Sequence, residues 1–249
     1  MKGGIYFKKM KIVIKIGSAV LTDRNLKIRK DVILNIANQV CELMKMGHNV
    51  LIVTSGAITS CDNKTYPENL RASIGQLKLM SIYSEFFGVF KQEIAQFLYT
   101  HQDFKGRRRE YVGKTLREAL KRGIVPIINA NDAVTSEEID ALKEFADNDI
   151  LARDIVLLIE ADILFILIKE KGLINYKTKK VISELSFNQA SQYVKDNIFS
   201  GKRGGMRSKV KIAKQLWRFG VKVKLLPGFK KDIILRSFKD KTIGTIFKP

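Results

Sequence analysis

The sequence is poor in the residues that cross-link small domains through disulfides or metals. Its 249 residues include two cysteines, Cys41 and Cys61, and two histidines, His48 and His101. Two cysteines cannot form a disulfide framework, and these cysteines and histidines lack the spacing of a four-ligand zinc site. We therefore predict no protein metal site and a reducing, cytoplasmic setting.

Long hydrophobic runs and low-complexity linkers are also missing. The longest apolar stretch, residues 155–168, is interrupted by Glu160 and Asp162 and is too short to cross a bilayer. We therefore expect neither a membrane span nor a secretory signal. With 45% hydrophobic residues the chain can bury a substantial core. The simplest division is one domain over residues 10–249, preceded by an N-terminal extension of residues 1–9.

Positive charge is what the sequence has in excess. Lys and Arg number 45 against 25 Asp and Glu, so the formal net charge is +20. Clustered basic residues bind nucleic acids or anionic membranes, and residues 202–248 hold 15 bases and two acids. Residues 132–149, however, hold seven carboxylates and one base, and the aromatic residues are not interleaved with basic ones in an RNA-stacking pattern. We expect a solvated Lys-rich surface, and nucleic-acid binding is an alternative for the basic C-terminal segment.

Apolar segments of two kinds alternate along the chain. Continuous β-branched and aliphatic runs predict strands at residues 11–16, 49–54, 124–128, 163–168 and 221–226. Helical spacing of apolar residues predicts helices at residues 32–43, 70–90, 107–122 and 207–219. This alternation is typical of a mostly parallel sheet covered by helices on both faces. Ligands bind beyond the carboxyl ends of such strands, so the loops that follow them are candidate sites.

Candidate loops follow the first two predicted strands. Lys15 ends the first strand just before Gly17, and a buried ammonium group there needs an anion such as phosphate. The alternative is a lysine that extends to solvent. Residues 54–57 enter a predicted helix, where free N–H groups and the Ser55 hydroxyl suit a carboxylate or phosphate. An ordinary helix N-cap is the alternative at this turn.

Two further loops carry acidic, amide and basic side chains. Residues 129–132 and 147–149 are rich in Asn and Asp, which can hold a substrate's ammonium and carboxylate groups, orient lysines or hold a metal's water shell. A turn-rich surface loop is the alternative. Residues 200–209 combine three glycines with four cations before a helix, as in a phosphate cradle or a flexible basic linker. Fixed cations, backbone donors and an organising carboxylate together suit phosphoryl transfer.

Seven short motifs lie in and between these loops. They are KIGS at residues 15–18, VTSGAI at 53–58, IGQ at 74–76, PIINANDA at 126–133, DND at 147–149, KGL at 171–173, and GGM at 204–206 followed by Lys209. In this order they resemble the glutamate 5-kinases of the amino acid kinase family, from about Met10 to Phe247. The resemblance implies a catalytic domain alone, folded as a three-layer α/β/α sandwich with a mostly parallel central sheet. It also implies ATP-dependent phosphorylation of the side-chain carboxylate of L-glutamate to L-glutamyl 5-phosphate, the first step of proline biosynthesis.

The resemblance assigns roles to individual residues. Lys15 and Lys209 would neutralise charge on the transferred phosphoryl group, and Asp149 would hold both lysines in place. The glutamate-binding residues would be Ser55, Asp132 and Asn148. The ATP-binding residues would be Lys15, Ile168, Lys169, Arg203, Gly204, Gly205, Met206, Arg207, Ser208 and Lys209. Mg²⁺ would be bound through the ATP phosphates, the protein would be a homo-oligomer, and its product would pass to glutamyl phosphate reductase.

The chain departs from the family pattern near the expected nucleotide. Ile168 and Lys169 stand where the family usually has Thr and Asp, which removes an acceptor and adds a cation. Arg203 stands where the glycine loop usually begins with Thr, and it adds a second cation. These changes favour one alternative, a pseudokinase that keeps the fold but has impaired nucleotide binding. A family member that acts on another substrate is the other alternative.

Overall fold

A single sheet forms the centre of the computed structural model, which describes residues 8–134, 147–175, 178–190 and 205–248. In this part of the chain the strands are β1 (Lys11–Ile16), β2 (Asn49–Val53), β3 (Ile94–Tyr99), β4 (Val125–Ala130), β5 (Ile163–Ile168), β6 (Glu184–Ser186), β7 (Lys222–Pro227) and β8 (Thr245–Lys248). They lie in the order β3-β4-β2-β1-β5-β7-β8-β6. All neighbouring strands are parallel except β7 and β8, which are antiparallel. The predicted mostly parallel sheet is confirmed.

Helices connect most of these strands. In the described residues they are α1 (Ser18–Leu21), α2 (Lys30–Lys45), α3 (Ala57–Ser60), α4 (Glu68–Val89), α5 (Gly106–Lys121), α6 (Asp147–Ile159), α7 (Met206–Trp217) and α8 (Ile233–Lys239), with a 3₁₀ helix at His101–Phe104; residues 187–190 are also helical. Helix α2 buries the predicted face and ends just before Gly47, whose φ of +89° is the left-handed conformation that glycine favours. Within the described ranges, no helix has both the length and the hydropathy needed to cross a membrane.

The sheet is covered on both faces, as the strand pattern predicts. Along β1, Val13 packs into a core shared with α5, α6 and α7, whereas Ile12 and Ile14 pack into a second core shared with α2, α4 and α8. This division follows from the two-residue period of a strand. Lys15, two residues after Val13, therefore lies on the face that α6 covers.

Two boundaries differ from the sequence prediction. The loop predicted from residue 129 begins later, because β4 continues to Ala130, where it still pairs with Tyr99 of β3. The Asp-Asn-Asp motif lies in the first turn of α6 and not in a loop. The apolar stretch of residues 155–168 is divided between the end of α6 and the whole of β5, with Glu160 at φ +56° between them.

Candidate active site

A buried cluster of two lysines and one carboxylate lies at the carboxyl edge of the sheet. Nζ of Lys15, near the end of β1, is 2.6 Å from Oδ1 of Asp149 in the first turn of α6. Nζ of Lys209, from the first turn of α7, is 3.4 Å from Oδ2 of the same carboxylate. The three residues are 5%, 1% and 9% exposed, respectively. The structure therefore brings together the three residues predicted to be catalytic, although their roles stay predictions.

The charged groups of this cluster shift one another's pKa values. Burial alone would raise the pKa of Asp149, but the ammonium groups of Lys15 and Lys209 outweigh burial and hold that pKa below the usual aspartate value. Asp149 is therefore ionised at neutral pH. Burial lowers the pKa of Lys209, opposed by Asp149 and reinforced by the nearby charge of Lys15. One carboxylate facing two lysines leaves a net positive site, which suits an anion.

The start of α7 adds hydrogen-bond donors to this positive site. Its N-cap is Gly205, which has no side chain to cap the first-turn N–H groups, and that turn contains no acidic residue. Ser208 is buried, and its hydroxyl donates to Oδ2 of Asp149 at 3.3 Å. Arg207 is exposed beside them. A helix N-terminus with adjacent cations is well suited to bind phosphate.

Two of the polar residues predicted to bind the amino acid, Ser55 and Asn148, lie next to the cluster. Asn148, immediately before Asp149, donates from Nδ2 to Oγ of Ser55 at 3.1 Å. The Oδ1 atom of Asn148 accepts from the backbone N–H of Ala130 at 3.3 Å. The turn at Ser55 depends on Gly56, whose φ is +103°. Asp132 follows β4 and is half-buried. Ser55 and Asn148 are thus in direct contact.

The other predicted nucleotide-binding residues differ in what their side chains can reach. The side chains of Ile168 and Met206 are buried in the core under α6 and α7, so only their backbone groups can contact a ligand. Lys169 is exposed at the end of β5. Arg203 and Gly204 lie outside the described residues. The effect of the added cations on nucleotide binding therefore stays a prediction.

Two amide residues at this edge have no individual role among the sequence predictions, although Asn129 lies in the candidate loop of residues 129–132. Asn129 is 1% exposed at the end of β4, and its Nδ2 donates to Oε1 of Gln76 on α4 at 2.9 Å. Helix α4 can approach α3 this closely because Gly75 has no Cβ. A Cβ at that position would overlap the carbonyl group of Ala57. The motifs at residues 74–76 and 126–133 contain these residues, but their contact joins elements that are distant in sequence. The candidate loop and the resemblance both include Asn129, whereas the resemblance alone includes Gln76.

The acidic residues of the site offer little to a metal ion. Both oxygens of Asp149 face lysines, at 2.6 Å and 3.4 Å. Among the residues that the structure describes, no three His, Cys, Asp or Glu side chains form a group that could hold a metal. An Mg²⁺ ion bound through phosphate oxygens and water fits these residues better than one held by a protein carboxylate cage.

Comparisons with known proteins agree with this architecture. The model of the amino acid kinase family matches residues 10–226. The chain is 37% identical to the glutamate 5-kinase of Thermoanaerobacter sp. (strain X514), over 96% of this chain and 68% of that protein. It is 33% identical to the glutamate 5-kinase of Oenococcus oeni (strain ATCC BAA-331 / PSU-1), over 95% of this chain and 94% of that one. Together with the buried lysine–aspartate–lysine cluster in a parallel α/β fold, these matches show that the chain belongs to the amino acid kinase family.

Proposed function

We propose that this protein transfers the γ-phosphoryl group of ATP to the side-chain carboxylate of L-glutamate, forming L-glutamyl 5-phosphate in the first step of proline biosynthesis. The observation that carries the proposal is the buried contact of Asp149 with Lys15 and Lys209, directly beside the Asn148–Ser55 pair. The relatives named glutamate 5-kinase, which this chain matches over nearly its whole length, support the same substrate and reaction.

The lysine cluster suits the charge changes of phosphoryl transfer. A carboxylate is already a nucleophile, so the reaction needs positioning and charge neutralisation more than a strong general base. Lys15 and Lys209 bind oxygens of the transferred group and offset its negative charge in a site shielded from water. Asp149 keeps the two ammonium groups at fixed positions before the phosphate binds. Its own negative charge limits their mutual repulsion.

The nucleotide lies against the start of α7 in this proposal. The N–H groups after Gly205 and the exposed Arg207 bind its phosphates. Lys169 follows β5, which neighbours β1 in the sheet, so it lies at the same carboxyl edge. Mg²⁺ bound to the ATP phosphates would supply further charge neutralisation there. Asp149 does not need to leave its two lysine partners to bind the metal.

Glutamate binds at the opposite side of the cluster. Ser55 and Asn148 bind its polar groups through hydroxyl and amide hydrogen bonds, and the Asp132 carboxylate attracts its ammonium group. Because Asn148 and Asp149 are consecutive residues on α6, the substrate and the lysines are held by one rigid element. The side-chain carboxylate can therefore be placed against the phosphoryl group, because the residue that binds the substrate is adjacent to the residue that holds the lysines.

The chemistry of the product suggests a downstream partner. An acyl phosphate hydrolyses readily in water, so we propose that it passes promptly to glutamyl phosphate reductase. We also propose a homo-oligomeric enzyme, as the family resemblance implies, in the cytoplasmic setting that the scarcity of cysteine predicts. The transfer to the reductase, the oligomeric state and the cytoplasmic setting are independent of the lysine cluster. Each can prove wrong without affecting the proposed reaction.

A coupled assay of ADP release tests the proposed function. With Mg-ATP the parent protein should release ADP when L-glutamate is present and should release little with L-aspartate or without an acceptor. Lys209→Met should lower kcat by about 100-fold or more, because one donor to the developing charge is removed. Lys214→Met, an exposed lysine on the same helix, should retain parental activity. Absence of glutamate-dependent ADP release by the folded parent would overturn the proposal.

A further inference from the structure

A buried glutamine beside the Ser55 turn has no role in the reaction described above. Gln76 lies on α4 and is 7% exposed. Its position depends on the close packing of α4 against α3 at Gly75. Across the sheet edge it meets Asn129, which lies on the same face of β4 as the buried Val125 and Ile127. Strand parity therefore directs Asn129 towards α4, while Asn148 approaches Ala130 from α6 on the other face.

One backbone N–H fixes the direction of every amide in this network. The N–H of Ala130 donates to Oδ1 of Asn129 at 2.9 Å and to Oδ1 of Asn148 at 3.3 Å. A backbone N–H cannot accept, so both side-chain oxygens must face it. Asn129 then presents Nδ2 to Gln76, and Gln76 must accept through Oε1. Reversing either side-chain amide would place two donors or two acceptors against each other.

This fixed direction leaves the second half of the Gln76 amide unpaired. Nε2 of Gln76 is buried, and it has no hydrogen-bond acceptor in the part of the chain that the structure describes. Gln39 on α2 shows the contrast: its Nε2 donates to Asn35 O at 3.1 Å, and its Oε1 accepts from the N–H of Ile234 at 2.7 Å. A buried donor without an acceptor is unfavourable and rare in native proteins. The site therefore contains an oriented donor that suits an anionic acceptor from a ligand.

We propose that Gln76 is a substrate-binding residue whose Nε2 donates to the α-carboxylate of the amino acid. This inference rests on the proposed function. The side-chain carboxylate of the substrate must meet the phosphoryl group at Asp149. From the adjacent Asn148, the network leads through Ala130 and Asn129 to Gln76 at its far end. The α-carboxylate is the anionic group that remains for Gln76 once the other carboxylate is placed at the lysines.

Two substitutions separate substrate binding from support of Asn129. Gln76→Glu keeps an oxygen that accepts from Asn129 but replaces the Nε2 donor by a second oxygen. Gln76→Met removes both groups with little change in side-chain volume. If Nε2 binds the substrate, both variants should raise KM for L-glutamate by roughly tenfold to hundredfold, as loss of a hydrogen bond to a charged group predicts. Gln76→Glu should raise it at least as much as Gln76→Met, because the new carboxylate repels that of the substrate. KM for ATP should change by less than about twofold.

The control is Gln39→Met, which removes a buried glutamine whose hydrogen bonds are complete. It should lower the unfolding temperature without changing KM for glutamate. Steady-state kinetics of the full chain and thermal unfolding of each variant provide both readouts. A parental KM in Gln76→Glu would overturn the inference, because the Oε1 contact alone would then suffice, and the proposed function would stand. A parent without glutamate-dependent turnover would overturn the proposed function and this inference with it.

Discussion

Oδ1 of Asp149 lies 2.6 Å from Nζ of Lys15, and both side chains are buried. The contact joins β1, a central strand of the sheet, to a helix that covers one face of the sheet. Lys15 reaches that face because it is two residues beyond Val13, and Asp149 reaches it because the first turn of α6 lies over the carboxyl end of β1. The same carboxylate also faces Lys209, so its loss would leave two buried cations facing each other.

The first prediction concerns the stability that Asp149 contributes. Asp149→Asn should lower the free energy of unfolding by about 3 kcal/mol at neutral pH, because breaking a buried ion pair leaves uncompensated charge. The pKa of Asp149 is below its unfolded value, so its contribution is complete above the ordinary aspartate range and is lost as pH falls through the lowered folded pKa. The difference between parent and variant in urea unfolding should therefore shrink in acid.

The control for this prediction is Asp154→Asn on the same helix. Asp154 pairs with its neighbour Arg153, and its side chain is 18% exposed where that of Asp149 is 0% exposed, so its substitution should cost less than that of Asp149. Equal effects of the two substitutions at neutral pH would contradict the account of Asp149.

The second prediction concerns the close approach of α4 and α3. A Cβ at Gly75 would overlap the backbone carbonyl of Ala57, which cannot move without moving the Ser55 turn. Gly75→Ala should therefore destabilise the protein by about 1–3 kcal/mol, although alanine is the better helix former. It should also raise KM for glutamate. Gly88→Ala, in the same helix with open space around its Cβ, should be neutral or stabilising by up to about 1 kcal/mol.

Urea unfolding and steady-state kinetics of both glycine variants check this prediction. If Gly75→Ala were as stable and active as Gly88→Ala, the tight packing of α4 against the turn could not be what positions Ser55 and Gln76.

The third prediction concerns pH. Burial lowers the pKa of Lys209, despite the opposing charge of Asp149, and the lysine binds phosphate only when protonated. In the free enzyme, kcat/KM for ATP should therefore fall on the alkaline side at a pH below the ordinary lysine range. Bound phosphates favour the charged ammonium and raise its pKa, so kcat should fall at a higher pH than kcat/KM does. Coincident alkaline limbs in the two profiles would contradict this role of Lys209.

Much of the fold follows from local sequence patterns. The apolar runs of β1, β2, β5 and β7 are buried on both faces, so their hydrophobicity alone predicts strands. Strand β3 was not predicted, because it lies at the sheet edge and its half-buried residues, interrupted by the exposed Gln96, form no continuous apolar run. Strands β6 and β8 were missed because they are short and depend on pairing with each other.

A site residue was predictable where a charged side chain stands at the end of a predicted strand or at the start of a predicted helix. Lys15 stands at the end of a buried strand, where an ammonium group needs an anion, and Lys209 stands at a helix start after glycines. Gln76 could not be inferred in this way. That its Nε2 is unpaired among the described residues follows from the direction of the hydrogen bonds through Asn129 and Ala130. That direction is determined only by the way β4 packs between α4 and α6.

The most direct test of the central claim is capture of the product with hydroxylamine. An acyl phosphate reacts with hydroxylamine to give a hydroxamate, so the folded parent incubated with L-glutamate, Mg-ATP and hydroxylamine should form glutamate γ-hydroxamate in step with ADP. Lys209→Met should form about 100-fold less, and Lys214→Met should match the parent. ADP release without the γ-hydroxamate, or no reaction at all by the folded parent, would contradict the proposed phosphorylation of the glutamate side chain.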